Sequence, residues 1–180
     1  MTTNALDVFA ANVRAHWGPL ATEVVAACRR ELALLAQAPV SESWLRNLHA
    51  QQPAGKELYR DPDAGFVLLA HTEHAGLYRP PHDHGRAWVV YAVQEGAVEM
   101  RTFGRVETPD GTVDLIQRDS VIVRAGQVQA YLPGDIHDTR CLSDTALVFR
   151  FTERDLRIED RVEHRVTRYP PPHVAWTTGK

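Results

Sequence analysis

The chain is short of cysteine, of long apolar runs and of clustered positive charge. Its 180 residues include two cysteines, Cys28 and Cys141, too few and too scattered for a disulfide framework. No apolar run approaches the roughly eighteen residues that a membrane-spanning helix needs. The opening residues, MTTNALDVFAANVRAHWG, lack a basic start followed by an apolar core, so no signal peptide is expected. Lys and Arg number 20 against 23 Asp and Glu, for a net charge of -3, and the two signs are interspersed. No basic stripe offers itself to nucleic acid. A soluble cytoplasmic protein is expected, with no nucleic acid and no membrane among its partners. What the chain does have is eleven glycines and eleven prolines, mostly beyond residue 52, which announce many turns.

Two patterns divide the chain. In residues 20–37, Leu20, Val24, Cys28, Leu32 and Leu35 recur at three- or four-residue spacing and predict an amphipathic helix. Asp7 and Ser41 are expected helix starts, and Cys28 reads as a packed small hydrophobe on the stripe. The polar stretch QQPAGKELYRDPDAG follows, and from Gly65 the hydrophobic period changes to two. GFVLLAH, AWVVYAV, AVEMRTFGRV, TVDLIQ, SVIVRAG, QVQAYLP and TALVFRF read as successive strands parted by Gly, Asp and Pro. TPDG, with Asp110-Gly111 at its tip, is a hairpin signal. Strands this short and this regularly spaced predict an all-β sandwich or barrel. The expected division is a helical extension over 1–52, a barrel over 53–168 and a Pro-rich tail over 169–180. One more polar strand is expected near residues 157–168, with the tail lying on a surface or a neighbouring subunit.

The chemistry concentrates in His82-Asp83-His84. Two imidazoles at i and i+2 on a strand share a face and can reach one ion. A third ligand must come from elsewhere, and His137, placed after the Pro133-Gly134-Asp135 turn, is the best candidate. The alternative is a set of polar surface histidines beside a turn. His71 and His74 read as structural or surface groups, His164 as part of a solvated charged face, and Glu73 as a pocket polar group.

These residues resemble the cupin superfamily. Gly76, His82, His84 and Gly96 fit its first motif, with Val89 where the motif has glutamate. Gly126, Pro133-Gly134 and His137 resemble its second, slightly out of register at the proline. The resemblance covers roughly residues 59–152 and implies a double-stranded β-helix (a jelly-roll barrel) with a metal between the motifs. Within the family, His82-Asp83-His84 followed by Trp88, behind a helical segment at residues 5–50, is similar to the three-histidine thiol dioxygenases. That subgroup uses Fe(II); Ni, Zn or Mn could replace it in a recombinant sample. Three neutral imidazoles leave the ion its full charge, which favours a thiolate or carboxylate.

The resemblance implies further roles. Arg60 matches the arginine that holds a substrate carboxylate, with Arg79 and Arg86 as rivals. The family's late-strand histidine and tyrosine are absent from Ala146–Thr152. Tyr91 and Tyr131 could supply a catalytic hydroxyl from other strands, although each also reads as a packed aromatic. Trp88 and Val89 are expected to give the substrate an apolar wall, favouring an amine-free or larger thiol acid. No crosslinked cofactor is expected, since Val89 offers no thiol. The implied activity is oxidation of a small carboxylate-bearing thiol to a sulfinate, with dioxygen as co-substrate, and the family's habit of pairing barrels implies a homodimer. The competing readings are another cupin metalloenzyme, such as an oxygenase cleaving a carbon–carbon bond, and a binding module for a sugar or small acid.

Overall fold

In the computed structural model, which describes residues 4–171, the expected boundary at residue 52 becomes a change from helices to strands. Helices α1 (Ala5–Ala15), α2 (Thr22–Ala36) and α3 (Ser43–Gln51) precede β1 (Lys56–Arg60), β2 (Val67–His74) and β3 (Tyr78–His82). Strands β4 (Val89–Glu95), β5 (Ala97–Glu107) and β6 (Val113–Arg124) follow, then β7 (Val128–Tyr131), β8 (Ile136–Cys141) and β9 (Thr145–Thr152). One sheet runs β1-β2-β9-β4-β7 and the other β3-β8-β5-β6. All the pairings between these strands are antiparallel. With β1 set aside as an added edge, the eight remaining strands split four and four between the sheets. That interleaving is a jelly roll. The expected all-β double-stranded β-helix with an N-terminal helical extension is what the chain forms.

Alternation along β4 and β9 sorts two cores. Trp88, Val90 and Ala92, with Leu147, Phe149 and Phe151, face the helices and pack with Phe9, Val13 and Leu32. Val89, Tyr91 and Val93, with Ala146 and Val148, face the interior between the sheets. Phe149 and Phe151 are each 0 % exposed, so each adds about 1.5–3 kcal/mol of burial. The barrel is therefore anchored to its helical layer chiefly through β9 and β4. Gly96, at φ +84°, makes the tight turn between the sheets, where a Cβ would lie 2.4 Å from the Thr145 carbonyl oxygen. No helix among the described residues is long and apolar enough to cross a membrane.

Several local expectations change. The segments TVDLIQ and SVIVRAG are one strand, β6, paired with β5 along its whole length around one register shift. Strand β1 lies in the stretch that reads as a polar link, because its edge position needs little apolar surface. Helix α1 is capped by the Asn4 side chain, which accepts the Asp7 N–H, so Asp7 sits in the first turn. Glu42 rather than Ser41 holds the N-cap position of α3, without a side-chain capping hydrogen bond, and Leu20 is exposed ahead of α2. The polar strand expected near residues 157–168 is a π-helical turn, Ile158–Val162, followed by a single bridge from Arg168 to His82. Glu159 explains the difference: its buried carboxylate gathers Arg154, Arg165 and the Arg86 N–H, which draws the segment inward. Of the tail, residues 172–180 lie outside the described residues.

Candidate metal centre

His82 and His137 are direct cross-strand partners on β3 and β8. Reaching the same face required a register correction. Arg79 pairs with Thr139 and His82 with His137, so three steps along β3 match two along β8. The extra residue is a β-bulge at Pro80-Pro81, and it turns His82 to the interior face that Arg79 already occupies. Prolines are tolerated there because β3 is an edge strand and such positions lose no ladder hydrogen bond.

The expectation that His82 and His84 project from one strand face is corrected. Strand β3 ends at His82, and His84 comes from the following turn. The turn is closed by Gly85 at φ +62°, which suits glycine. Asp83 accepts the N–H groups of Gly85 and Thr167. Glu159 accepts the Arg86 N–H. A Cβ on Gly85 would meet the Glu159 carboxylate at 2.7 Å, so the turn and the π-helical segment are packed as one piece.

The potential ligand atoms of His82, His84 and His137 all lie within 4.8 Å of one another. His84 Nε2 and His137 Nε2 are 3.3 Å apart. Two nitrogens about 2.1 Å from one ion, at octahedral to tetrahedral angles, would be about 3.0–3.4 Å apart. His82 Nδ1 lies 2.9 Å from the Pro80 carbonyl oxygen, which requires the proton on Nδ1 and leaves Nε2 for an ion. Burial pushes all three imidazoles below their usual range, most strongly for His84 and His137, and the Arg150 charge adds to it. Neutral imidazole is the form that binds a metal. The cluster fits a divalent ion through three nitrogens and, among the described residues, includes no carboxylate.

The opposite sheet supplies a different chemistry. Arg150, on β9, is the cross-strand partner of Leu69 on β2 and Tyr91 on β4, and its even-numbered neighbours Ala146 and Val148 mark the interior face. Its Nε is buried without a hydrogen-bond partner, and no carboxylate pairs with it among the described residues. Tyr91 is buried with its hydroxyl 3.3 Å from His84 Nε2, and burial raises its pKa. Glu73 accepts two hydrogen bonds from Arg79. Burial, reinforced by Arg150, lowers His71 to about 4. These groups, His82, His84 and residues from 156–171 line one cavity of about 610 Å³.

The structure sorts the candidate residues. His82, His84, Tyr91 and Arg79 line the cavity. His137 lies fully buried behind its wall, with Tyr131 stacked on it at 3.9 Å between ring centroids. Arg60 is not among the lining residues; its guanidinium is held by Glu57 and Asp155. Arg86 is exposed and also outside the lining. Trp88 faces the helical layer, stacked against Trp17 and near Phe151, because its odd-numbered neighbour Val89 takes the interior position. Val89 is buried without lining the cavity. The expected apolar wall is thus interrupted by Arg150, His71 and Glu73. Arg150 is the residue that sequence reasoning missed. Its signal was a lone arginine inside the apolar run Ala146–Phe151, where an uncompensated charge is rarely placed without purpose.

No family model and no curated protein matches the chain. Solved structures resembling it include KdgF from a Halomonas species, at 18% identity and TM-score 0.43, covering 56% of this chain and 77% of that one. The cupin domain of Cnp3 from Schizosaccharomyces pombe aligns at 12% identity and TM-score 0.44, over 62% of this chain and 66% of that one. An oxalate oxidase in complex with the substrate analogue glycolate aligns at 20% identity and TM-score 0.41, over 55% of this chain and half of that one. These likenesses are too loose to assign a function, and the jelly-roll architecture rests on the strand order itself.

Proposed function

We propose that this protein is an Fe(II)-dependent dioxygenase that converts the thiol of a carboxylate-bearing substrate to a sulfinate. The observation that carries the reading is that one cavity is lined by two members of a three-imidazole cluster, His82 and His84, and by Arg150, an arginine without a carboxylate partner among the described residues. Iron held by His82, His84 and His137 would supply dioxygen activation and a site for the thiolate, and both added oxygen atoms would end on sulfur. The protein's part is orientation and charge. Three neutral ligands leave the ion its full charge, which favours an anionic sulfur. Arg150, in place of the sequence candidate Arg60, presents a guanidinium fork to the substrate carboxylate. The Tyr91 hydroxyl, beside His84, can donate a hydrogen bond to a group at the metal-facing end of the cavity.

The test is oxygen uptake by Fe(II)-loaded protein with 3-mercaptopropionate and with cysteine, and mass spectrometry of the product. A gain of two oxygen atoms on the thiol supports the reading, and Arg150→Gln should raise KM for both substrates. Absence of uptake at full iron occupancy would overturn it.

A further inference from the structure

Resting on that reading, we infer that the substrate carries a second anionic group, held by Arg161 at the cavity mouth, and is therefore an extended thiol diacid. The first observation is size. A three-carbon thiol acid has about six non-hydrogen atoms, which at about 30 Å³ each would occupy about 180 Å³. The cavity measures about 610 Å³. A ligand of that size would fill less than a third of it.

The second observation is how the charges lining that space are compensated. Arg79 is neutralised by Glu73, and Arg168 by Asp160 through two parallel hydrogen bonds. Arg157 is engaged by Asp155 outside the cavity. Arg150 and Arg161 line the same cavity and have no carboxylate partner among the described residues. Asp83, the remaining lining carboxylate, is occupied by two backbone N–H groups. Two guanidinium groups without an ion pair among the described residues therefore line one cavity, Arg150 on the barrel wall and Arg161 on the π-helical turn Ile158–Val162, the latter near the Asp160 carboxylate that Arg168 already holds. A site with this balance recruits and holds dianions in preference to monoanions.

The turn bearing Arg161 is fixed rather than loose. Glu159 ties it to Arg154, Arg165 and the His84 turn, so the outer charge is held in register with the metal centre.

The experiment is calorimetric titration of the full-length, metal-loaded protein under nitrogen with two matched ligand pairs. One pair is 3-mercaptopropionate and mercaptosuccinate, and the other is the thiol-free pair butyrate and glutarate. The diacid of each pair should bind about fivefold to tenfold more tightly than its monoacid. Arg161→Gln should remove most of that difference and Arg161→Lys retain part of it, whereas Arg150→Gln should weaken all four ligands. Arg161 is exposed and makes no ion pair among the described residues, so these variants should fold. Equal affinity within both pairs, or a diacid advantage that survives Arg161→Gln, overturns the inference. If glutarate keeps its advantage while no thiol is oxidised, the oxygenase reading fails and the second anion site stands. If thiols are oxidised with no diacid advantage, the inference alone fails.

Discussion

The two sheets enclosing the cavity do opposite work. The sheet β3-β8-β5-β6 brings His82 and His137 together with the adjoining His84, all neutral and suited to a cation. The sheet β1-β2-β9-β4-β7 brings Arg150, Tyr91, His71 and Glu73, with an uncompensated positive charge at its centre. The first is backed by neighbours that orient it: the Pro80 carbonyl under His82 and the Tyr131 ring on His137. The second is backed by the helical core, since Arg150 stands between Phe149 and Phe151 on β9 and those rings point the other way. Under the proposed function, metal binding and substrate orientation would thus fall to separate sheets, and each could be damaged separately.

The largest expected effect falls on the imidazole side. His137→Ala should reduce bound metal to near zero by elemental analysis, because two ligands cannot replace a three-nitrogen site. Its urea midpoint without metal should change far less. On the other sheet, neighbouring residues should behave differently. Phe151→Ala, which strips a ring in contact with Phe9, Trp17, Phe66 and Trp88, should cost about 3–5 kcal/mol of stability. Arg150→Gln, one residue earlier, should leave the unfolding midpoint nearly unchanged and cost about 2–5 kcal/mol of carboxylate binding. A large stability loss at Arg150 would mean that it braces the barrel.

The smallest effect is a pH dependence. His71 titrates at about 4 in the folded protein, from a usual value of 6.5, because burial disfavours its charged form. Between those values the unfolded chain binds the extra proton, so stability contributed at neutral pH is lost as pH falls from 6.5 towards 4. The loss should be on the order of 3 kcal/mol. Metal-free His71→Gln should show a correspondingly flatter dependence of its urea midpoint, and an identical slope would contradict the burial of His71.

The same contrast explains what could be read from the sequence. The imidazoles announced themselves by type and spacing, yet the geometry behind them did not. His82 faces inward because Pro80-Pro81 forms a bulge, and His84 because Gly85 turns the chain; a simple i, i+2 rule arrives at the right residues by a different route. The jelly roll was legible from period-two runs, while β1 was hidden by its polar edge position. Arg150 was hidden because inward and outward positions of β9 are both apolar, so periodicity does not mark the face. Arg60, by contrast, drew attention by position alone, and its charge is already taken by Glu57 and Asp155.

The central claim is that one substrate bridges the two sheets, sulfur toward the imidazoles and carboxylate toward Arg150. The direct test is anaerobic titration of Co(II)-substituted protein with 3-mercaptopropionate, following the thiolate-to-cobalt absorption band in wild type and Arg150→Gln. The account predicts the same band in both, saturating in the variant only at a concentration at least about thirtyfold higher. Identical saturation curves, or no thiolate band in the wild type, would contradict it.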